Sequence, residues 1–246
     1  MKWITWGIIL IMCTNKFNIV KTLLLLHGAI GAKDQLEPLA EHLKGQFDVH
    51  NINFSGHGGT PFDGLFSIEK FAGEVTDYLR ENKLEKVSVF GYSMGGYVAL
   101  YLASIHPEKV ESIFTLATKF DWSPEISQKE TNMLNPEIIK EKIPAFAKAL
   151  QQRHHPQSWE MVLEKTSQLM LDLGIKQPLE KDDFNKIKIP VKLTIGDGDK
   201  MVSIAETRQV SEWLPNAALL ILPDVQHPIE KAPTILLAEE IKAFLK

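Results

Sequence analysis

Apolar residues along this chain switch between two periods in a repeating order. Thr22–Leu26 (TLLLL) is apolar almost throughout, the pattern of a strand buried on both faces. Leu36–Leu43 then places apolar side chains at helical spacing, and Phe47–Phe54 alternates as a second strand. Ser67 is a good helix N-cap, ahead of Ile68, Phe71, Val75 and Leu79 on one helical face. Val87–Phe90 is a third short strand, rich in β-branched and aromatic residues, and a helical run follows from Gly96 to Ala103. Val110–Leu116, Val191–Ile195 and Ala218–Leu222 read as three more strands, with a closing helix over Thr234–Phe244. Strands alternating with helices predict an α/β fold, a mostly parallel central sheet covered by helices on both faces.

The alternation breaks between about Lys119 and Lys186. No strand pattern appears there, while Pro136–Leu150 and Ser158–Leu173 are periodic in the helical sense. An insertion between two strands of such a sheet can sit over the strand C-termini. The expectation is one domain over residues 1–246 with a helical cap subdomain at about 119–186, in which Trp122, Phe146, Leu150, Trp159 and Leu163 are candidates for an apolar wall. Repeats, low-complexity tracts and linker-like runs are absent from the sequence.

Composition narrows the function classes. With 44% hydrophobic and 24% charged residues the chain is an ordinary globular sequence, and 246 residues suffice for one sizeable core. The net charge of −4 is spread without a basic block, so neither nucleic acid nor an anionic membrane surface is indicated as a partner. The single cysteine, Cys13, excludes an internal disulfide framework. Met1–Met12 is mostly apolar and resembles the front of a signal peptide, but no small-residue cleavage site follows and the run is too short to span a bilayer. A cytoplasmic monomer or homodimer is expected, with export or anchoring through residues 1–13 as the alternative.

The most informative segment is Gly91-Tyr92-Ser93-Met94-Gly95, between the third strand and its helix. A serine at so tight a strand-to-helix turn has its hydroxyl pushed out of the backbone, and the flanking glycines leave room for the neighbouring strand and helix. That is the geometry of a nucleophile elbow. Acyl transfer from serine also needs a base, a group that orients the base, and donors for the oxyanion. His227, just past the last strand, is the candidate base. The acid comes from Gly196-Asp197-Gly198-Asp199, past the preceding strand; its distance from the strand end favours Asp199, and Asp197 remains the competitor. The Ser93…Asp199…His227 order, with each residue beyond a strand end, places all three where open α/β sheets build their sites. For the oxyanion, the backbone N–H of Met94 stands at a helix N-terminus. A second N–H is expected from Ala29, or failing that Ile30, in the loop after the first strand.

These motifs, with His27-Gly28 and Ser55-Gly56-His57-Gly58-Gly59-Thr60, make the chain resemble the α/β-hydrolase fold superfamily from about Thr22 to Lys246. The resemblance implies an α/β-hydrolase fold whose cap is inserted after the sixth strand of the standard sheet. It also implies loop-shaping roles for His27 and His57. Such families place a β-hairpin ahead of the His-Gly strand; only residues 1–21 precede it here, so that hairpin is expected to be missing or replaced. Asn53 and Ser55 stand where the family usually has aspartate and proline before Gly-His-Gly, a change that touches the turn and not the triad.

The resulting expectation is a serine hydrolase cleaving an ester-like bond of a small molecule, without metal or other cofactor. The alternatives are C–C bond chemistry, as in meta-cleavage product hydrolases or the menaquinone-pathway synthase, and a non-catalytic binding protein on the same fold. Tyr97 stands where that synthase usually carries arginine. Serine at the elbow argues against the haloalkane dehalogenase and epoxide hydrolase relatives, which use aspartate. Ile30, Thr118, Lys119, Trp122 and Trp159 are the candidate pocket residues, with Lys119 placed to meet an acidic substrate group. Adjacent His154 and His155 diverge on a helix and lack a partnering carboxylate, so they are not read as metal ligands.

Overall fold

The computed structural model describes residues 20–246; the expectations for residues 1–13, and for what precedes the first strand, lie outside the described residues. Six strands form one sheet: β1 (Thr22–Leu26), β2 (Asp48–Ile52), β3 (Val87–Tyr92), β4 (Val110–Leu116), β5 (Val191–Gly196) and β6 (Ala217–Leu222). Their order is β2-β1-β3-β4-β5-β6, and every neighbouring pair is parallel. Chain order reverses between β1 and β3, whose register pairs Leu26 with Gly91 at the C-terminal edge. A crevice opens at such a switch point, because the connections on either side leave in opposite directions.

The sheet is covered on both faces, which explains why β1 carries no polar alternation. Leu23 and Leu25 pack with Leu39 and Leu43 of α1 (Glu37–Leu43) and Leu237 and Ile241 of α10 (Thr234–Phe244). Leu24 and Leu26 face the other way, onto Phe71, Val75 and Leu79 of α2 (Ile68–Glu81) and Val98 and Leu102 of α3 (Met94–Ile105). The Ser67 hydroxyl accepts the Lys70 N–H at 3.0 Å and so caps α2. No helix of the described residues is long and apolar enough to cross a membrane.

Between β4 and β5 lie α4 (Pro124–Asn132), α5 (Pro136–Lys142), α6 (Pro144–His154), α7 (Trp159–Ile175) and α8 (Lys181–Lys186). The Pro136–Leu150 periodicity is split into two helices at Ile143, whose φ of −136° and ψ of 58° are outside the helical region. Pro144 is the cause, since its ring disfavours a helical residue before it and it offers no N–H. Helix α4 has no apolar stripe to announce it; Ser123 caps it through the Ile126 N–H, with Pro124 at the first position. Ile139, Leu150, Trp159 and Leu163 form a small apolar cluster of their own within these helices. Helix α9 (Ile204–Trp213) follows β5, capped by Ser203.

Three buried histidines join this helical layer to the sheet. His27 follows β1, His57 lies in the turn after β2, and His154 ends α6; ring centroids are 5.0 Å apart for His27–His57 and 5.8 Å for His57–His154. His154 Nε2–H donates to the Ile30 carbonyl at 3.0 Å, and its Nδ1 accepts the Gly58 N–H at 3.1 Å. His27 Nδ1–H donates to the Gly28 carbonyl at 2.8 Å, while Nε2 accepts the Phe54 N–H at 3.2 Å. An acceptor nitrogen cannot carry a proton, so both rings must be neutral.

Burial pushes His27 down to about 4, with the Gly28 carbonyl opposing and the Arg153 charge adding to it. Burial and then His27 hold His57 well below the usual histidine range. His154 is lowered by burial and Arg153, against the Ile30 carbonyl and Asp34. These folded-state values lie below the ordinary 6.5, so on acidification the unfolded chain binds protons first. Stability should be fully present above about pH 6.5 and fall as pH drops towards about 4, with His27 alone contributing a loss of roughly 2 kcal/mol at about pH 5 and His57 and His154 adding in the same direction. Urea midpoints across that range test this, and His57→Phe should flatten the slope.

Candidate active site

Ser93 sits between the last residue of β3 and the first of α3, with a φ of 50° and ψ of −117°. A positive φ is costly for a residue with a Cβ, and neighbouring contacts hold it there. Its N–H donates to the Leu116 carbonyl at 2.8 Å, and its own carbonyl accepts the Gly96 N–H at 3.0 Å and the Thr118 hydroxyl at 3.1 Å. The flanking glycines are steric requirements. A Cβ on Gly91 would lie 2.4 Å from the Gly96 Cα, and one on Gly95 2.3 Å from the Leu26 carbonyl oxygen.

The Ser93 hydroxyl points at His227, with Oγ 3.4 Å from Nε2. That is long for a hydrogen bond, as such contacts often are before a substrate is bound. His227 Nδ1–H donates to Asp199 Oδ2 at 2.8 Å. The other carboxylate oxygen of Asp199 accepts the Met201 and Val202 N–H groups at 2.8 and 2.9 Å. Burial pushes the Asp199 carboxyl up, but the hydrogen bond and charge of His227 and those two N–H donors outweigh it and leave it below the usual range. Asp197 instead accepts the Asp224 N–H at 2.6 Å, bracing the loop that carries His227. The Tyr92 hydroxyl donates to the His227 carbonyl at 2.9 Å. A ring that reads from sequence as packing therefore also anchors the histidine loop.

Ala29 and Met94 both border the cavity that contains Ser93 and His227. As the first residue of α3, Met94 has an N–H with no acceptor within the helix. Ile30 follows with a φ of 51°, rare for a β-branched residue, and the His154 ring holds its carbonyl.

Two cavities meet at Ser93. The inner one, about 50 Å³, is lined by Lys119, Trp122, Glu130, Leu169, Met170 and Leu173 among others. The second, about 260 Å³, reaches Ile30, Leu134, Phe146 and Arg153. Of the expected pocket residues, Ile30, Lys119 and Trp122 line one or the other. Thr118 and Trp159 do not. The Thr118 hydroxyl is turned back onto the Ser93 carbonyl, and Trp159 is absorbed in the apolar cluster with Leu150 and Leu163. Phe146 alone of the other wall candidates reaches a cavity.

Lys119 does not present a free charge. Its Nζ donates to the Met201 carbonyl at 2.9 Å, lies 3.7 Å from Glu130 Oε1 and stands 5.7 Å from the Trp122 ring centre. Glu130 and Met170 are lining residues that pattern reading missed. The Ser123-Pro124 start signal, taken with Ile126 and Ser127, could have placed Glu130 on a helix. A still larger cavity of about 640 Å³, between α7, α8 and α9, shares Trp122 and Leu173 with the inner one but does not reach Ser93.

Comparison with known proteins agrees with this architecture. The family model described as alpha/beta hydrolase fold matches residues 21–136. Lipase 3 of Moraxella sp. (strain TA144) is 24% identical, over 83% of this chain and 71% of the lipase. The pimeloyl-[acyl-carrier protein] methyl ester esterase of Chromobacterium violaceum is 28% identical, over 82% of this chain and 83% of the esterase. Among solved structures, the enol-lactonase from Burkholderia xenovorans LB400 superposes with a TM-score of 0.75 at 17% identity, covering 92% of this chain and 91% of the lactonase. At that identity the likeness speaks for the fold alone.

The elbow carries its own prediction. Gly95→Ala should lower stability by about 3 kcal/mol or more, because the new methyl meets backbone of β1 that cannot rotate away. A fall in the urea midpoint with an unchanged denaturant slope is the expected reading.

Proposed function

We propose that this chain, a member of the α/β-hydrolase fold family, is a serine hydrolase that cleaves a carboxylic ester of a small molecule through an acyl-enzyme. The observation that carries the reading is the line of contacts from Ser93 Oγ through His227 to Asp199, at the edge of the sheet where the chain order reverses. Similarity to a lipase and a methyl ester esterase supports ester bonds as the target.

In this mechanism Ser93 Oγ attacks the ester carbonyl carbon while His227 Nε2 takes its proton. Asp199, held by its two N–H donors, fixes the His227 tautomer and stabilises the imidazolium that forms. The Ala29 and Met94 N–H groups stabilise the developing oxyanion, each such donor typically contributing ~3–4 kcal/mol to the transition state. Collapse of the tetrahedral intermediate expels the alcohol, which receives the proton from His227. Water, deprotonated by His227, then releases the acid and restores Ser93. The helices between β4 and β5 act as a cap, with Trp122 and Phe146 setting which acyl or alcohol groups fit.

Ser93→Ala should abolish covalent labelling by a fluorophosphonate and lower kcat by at least ~10³-fold. Full labelling of the variant would overturn the assignment. Phe146→Ala should favour longer groups, since each methylene newly buried contributes roughly 0.8 kcal/mol. A p-nitrophenyl ester series run on both forms measures this; an equal loss for every ester would show that Phe146 plays no selective part.

A further inference from the structure

The inner cavity beside Ser93 is walled mostly by apolar side chains, yet three of its lining residues, Tyr97, Trp122 and Glu130, each carry a buried polar atom with nothing to bond among the described residues. Glu130 lies on α4, 6% exposed, and its Oε2 is buried without a hydrogen-bond partner. Trp122 borders the same cavity, and its Nε1–H is likewise buried and unpartnered. Lys119 Nζ is close to both residues, 5.7 Å from the Trp122 ring centre and 3.7 Å from the other Glu130 oxygen. Buried polar groups are almost always satisfied, and leaving one without a partner is costly. An acceptor on Glu130 and a donor on Trp122, with the Tyr97 hydroxyl able to play either part, are what a ligand with both functions would complete.

We propose that this cavity selects esters whose enclosed end carries a neutral group that both donates and accepts hydrogen bonds, a hydroxyl or a carboxamide. The inference rests on Ser93 being the nucleophile of an ester hydrolase. The ligand group donates to Glu130 Oε2 and accepts from Trp122 Nε1–H. An alkyl end would leave both wall groups unpaired. A carboxylate end would gain from Lys119 but meet Glu130, whose charge already compensates that lysine at 3.7 Å. The small volume, about 50 Å³, also means that little besides the recognised group fits.

The test compares p-nitrophenyl esters matched in length and ending in methyl, hydroxyl, carboxamide or carboxylate, over a range of chain lengths. The hydroxyl or carboxamide ester should exceed its methyl counterpart in kcat/KM by at least ~10-fold at the best length, with the carboxylate poorest. In Glu130→Gln that advantage should collapse and the carboxylate ester should gain on the others, because Lys119 is then uncompensated. Trp122→Phe keeps the ring and removes only the N–H. It should reduce the advantage without helping the carboxylate, and it carries the test should Glu130→Gln fail to fold. Fluorophosphonate labelling, run alongside, separates the two levels of the argument. If Ser93 labels and methyl esters turn over but no polar preference appears at any length, this inference is overturned and the hydrolase reading stands. If both variants lower all four esters equally, the wall groups are structural and the inference is again overturned. If the wild-type protein neither labels nor hydrolyses any ester, both fall together.

Discussion

Backbone crowding around Ser93 is the constraint on which the other features of the site depend. The chain must leave β3, turn through a residue with positive φ and enter α3 within a few atoms of β1. Only hydrogen atoms fit at Gly91 and Gly95, because the Gly96 backbone and the Leu26 carbonyl occupy the space beyond. The Leu116 carbonyl and the Thr118 hydroxyl then hold the turn from the β4 side. This closeness puts the first N–H of α3 and the loop after β1 on the same small cavity as the serine hydroxyl. A looser turn would separate those groups and remove the reason for the glycines at once.

The same economy of contact governs the loops that bring the other residues to Ser93. His227 lies in a loop held at three points: by Asp199 through the ring, by Tyr92 through its carbonyl, and by Asp197 through the neighbouring Asp224 N–H. Each uses a charged or aromatic group anchored on a strand end, so the loop inherits the rigidity of the sheet. The loop after β1 has a different support. Its strained Ile30 is tied to the last residue of α6, so the helical layer above the sheet and the loop beside Ser93 share one buried histidine. A change in how that layer sits would therefore be felt at Ala29, one residue away.

Polar groups near the cavity fall into two kinds. Asp199, Thr118 and His154 have their hydrogen-bonding capacity taken up by protein and serve to position. Glu130, Trp122 and Tyr97, which line the inner cavity, each keep one buried side-chain polar atom unsatisfied among the described residues. Lys119 belongs to the first kind, contrary to what its exposed-looking position past β4 suggests, because α4 brings Glu130 to it.

Much of this was legible from sequence because it depends on neighbours along the chain. Unbroken apolar runs marked strands buried on both faces, helical spacing marked α2 and α3, and the Gly91–Gly95 turn announced a serine under steric pressure. Order and spacing were enough to nominate Asp199 and His227, since both follow apolar strands directly. The choice between Asp197 and Asp199 as partner of the His227 ring was decided only in three dimensions: two carboxylates two residues apart point in different directions from a curved loop, and only coordinates tell which meets the ring. The cavity wall was less accessible still. Trp159 and Phe146 both lie on helical patterns, yet one is buried in an apolar cluster among the helices between β4 and β5 while the other reaches the cavity, a difference set by tertiary packing. Glu130, on a polar helix with no apolar stripe, gave no local signal of burial; Lys119, on the segment that leads into α4, meets it only once that segment and the helix are folded against the cavity.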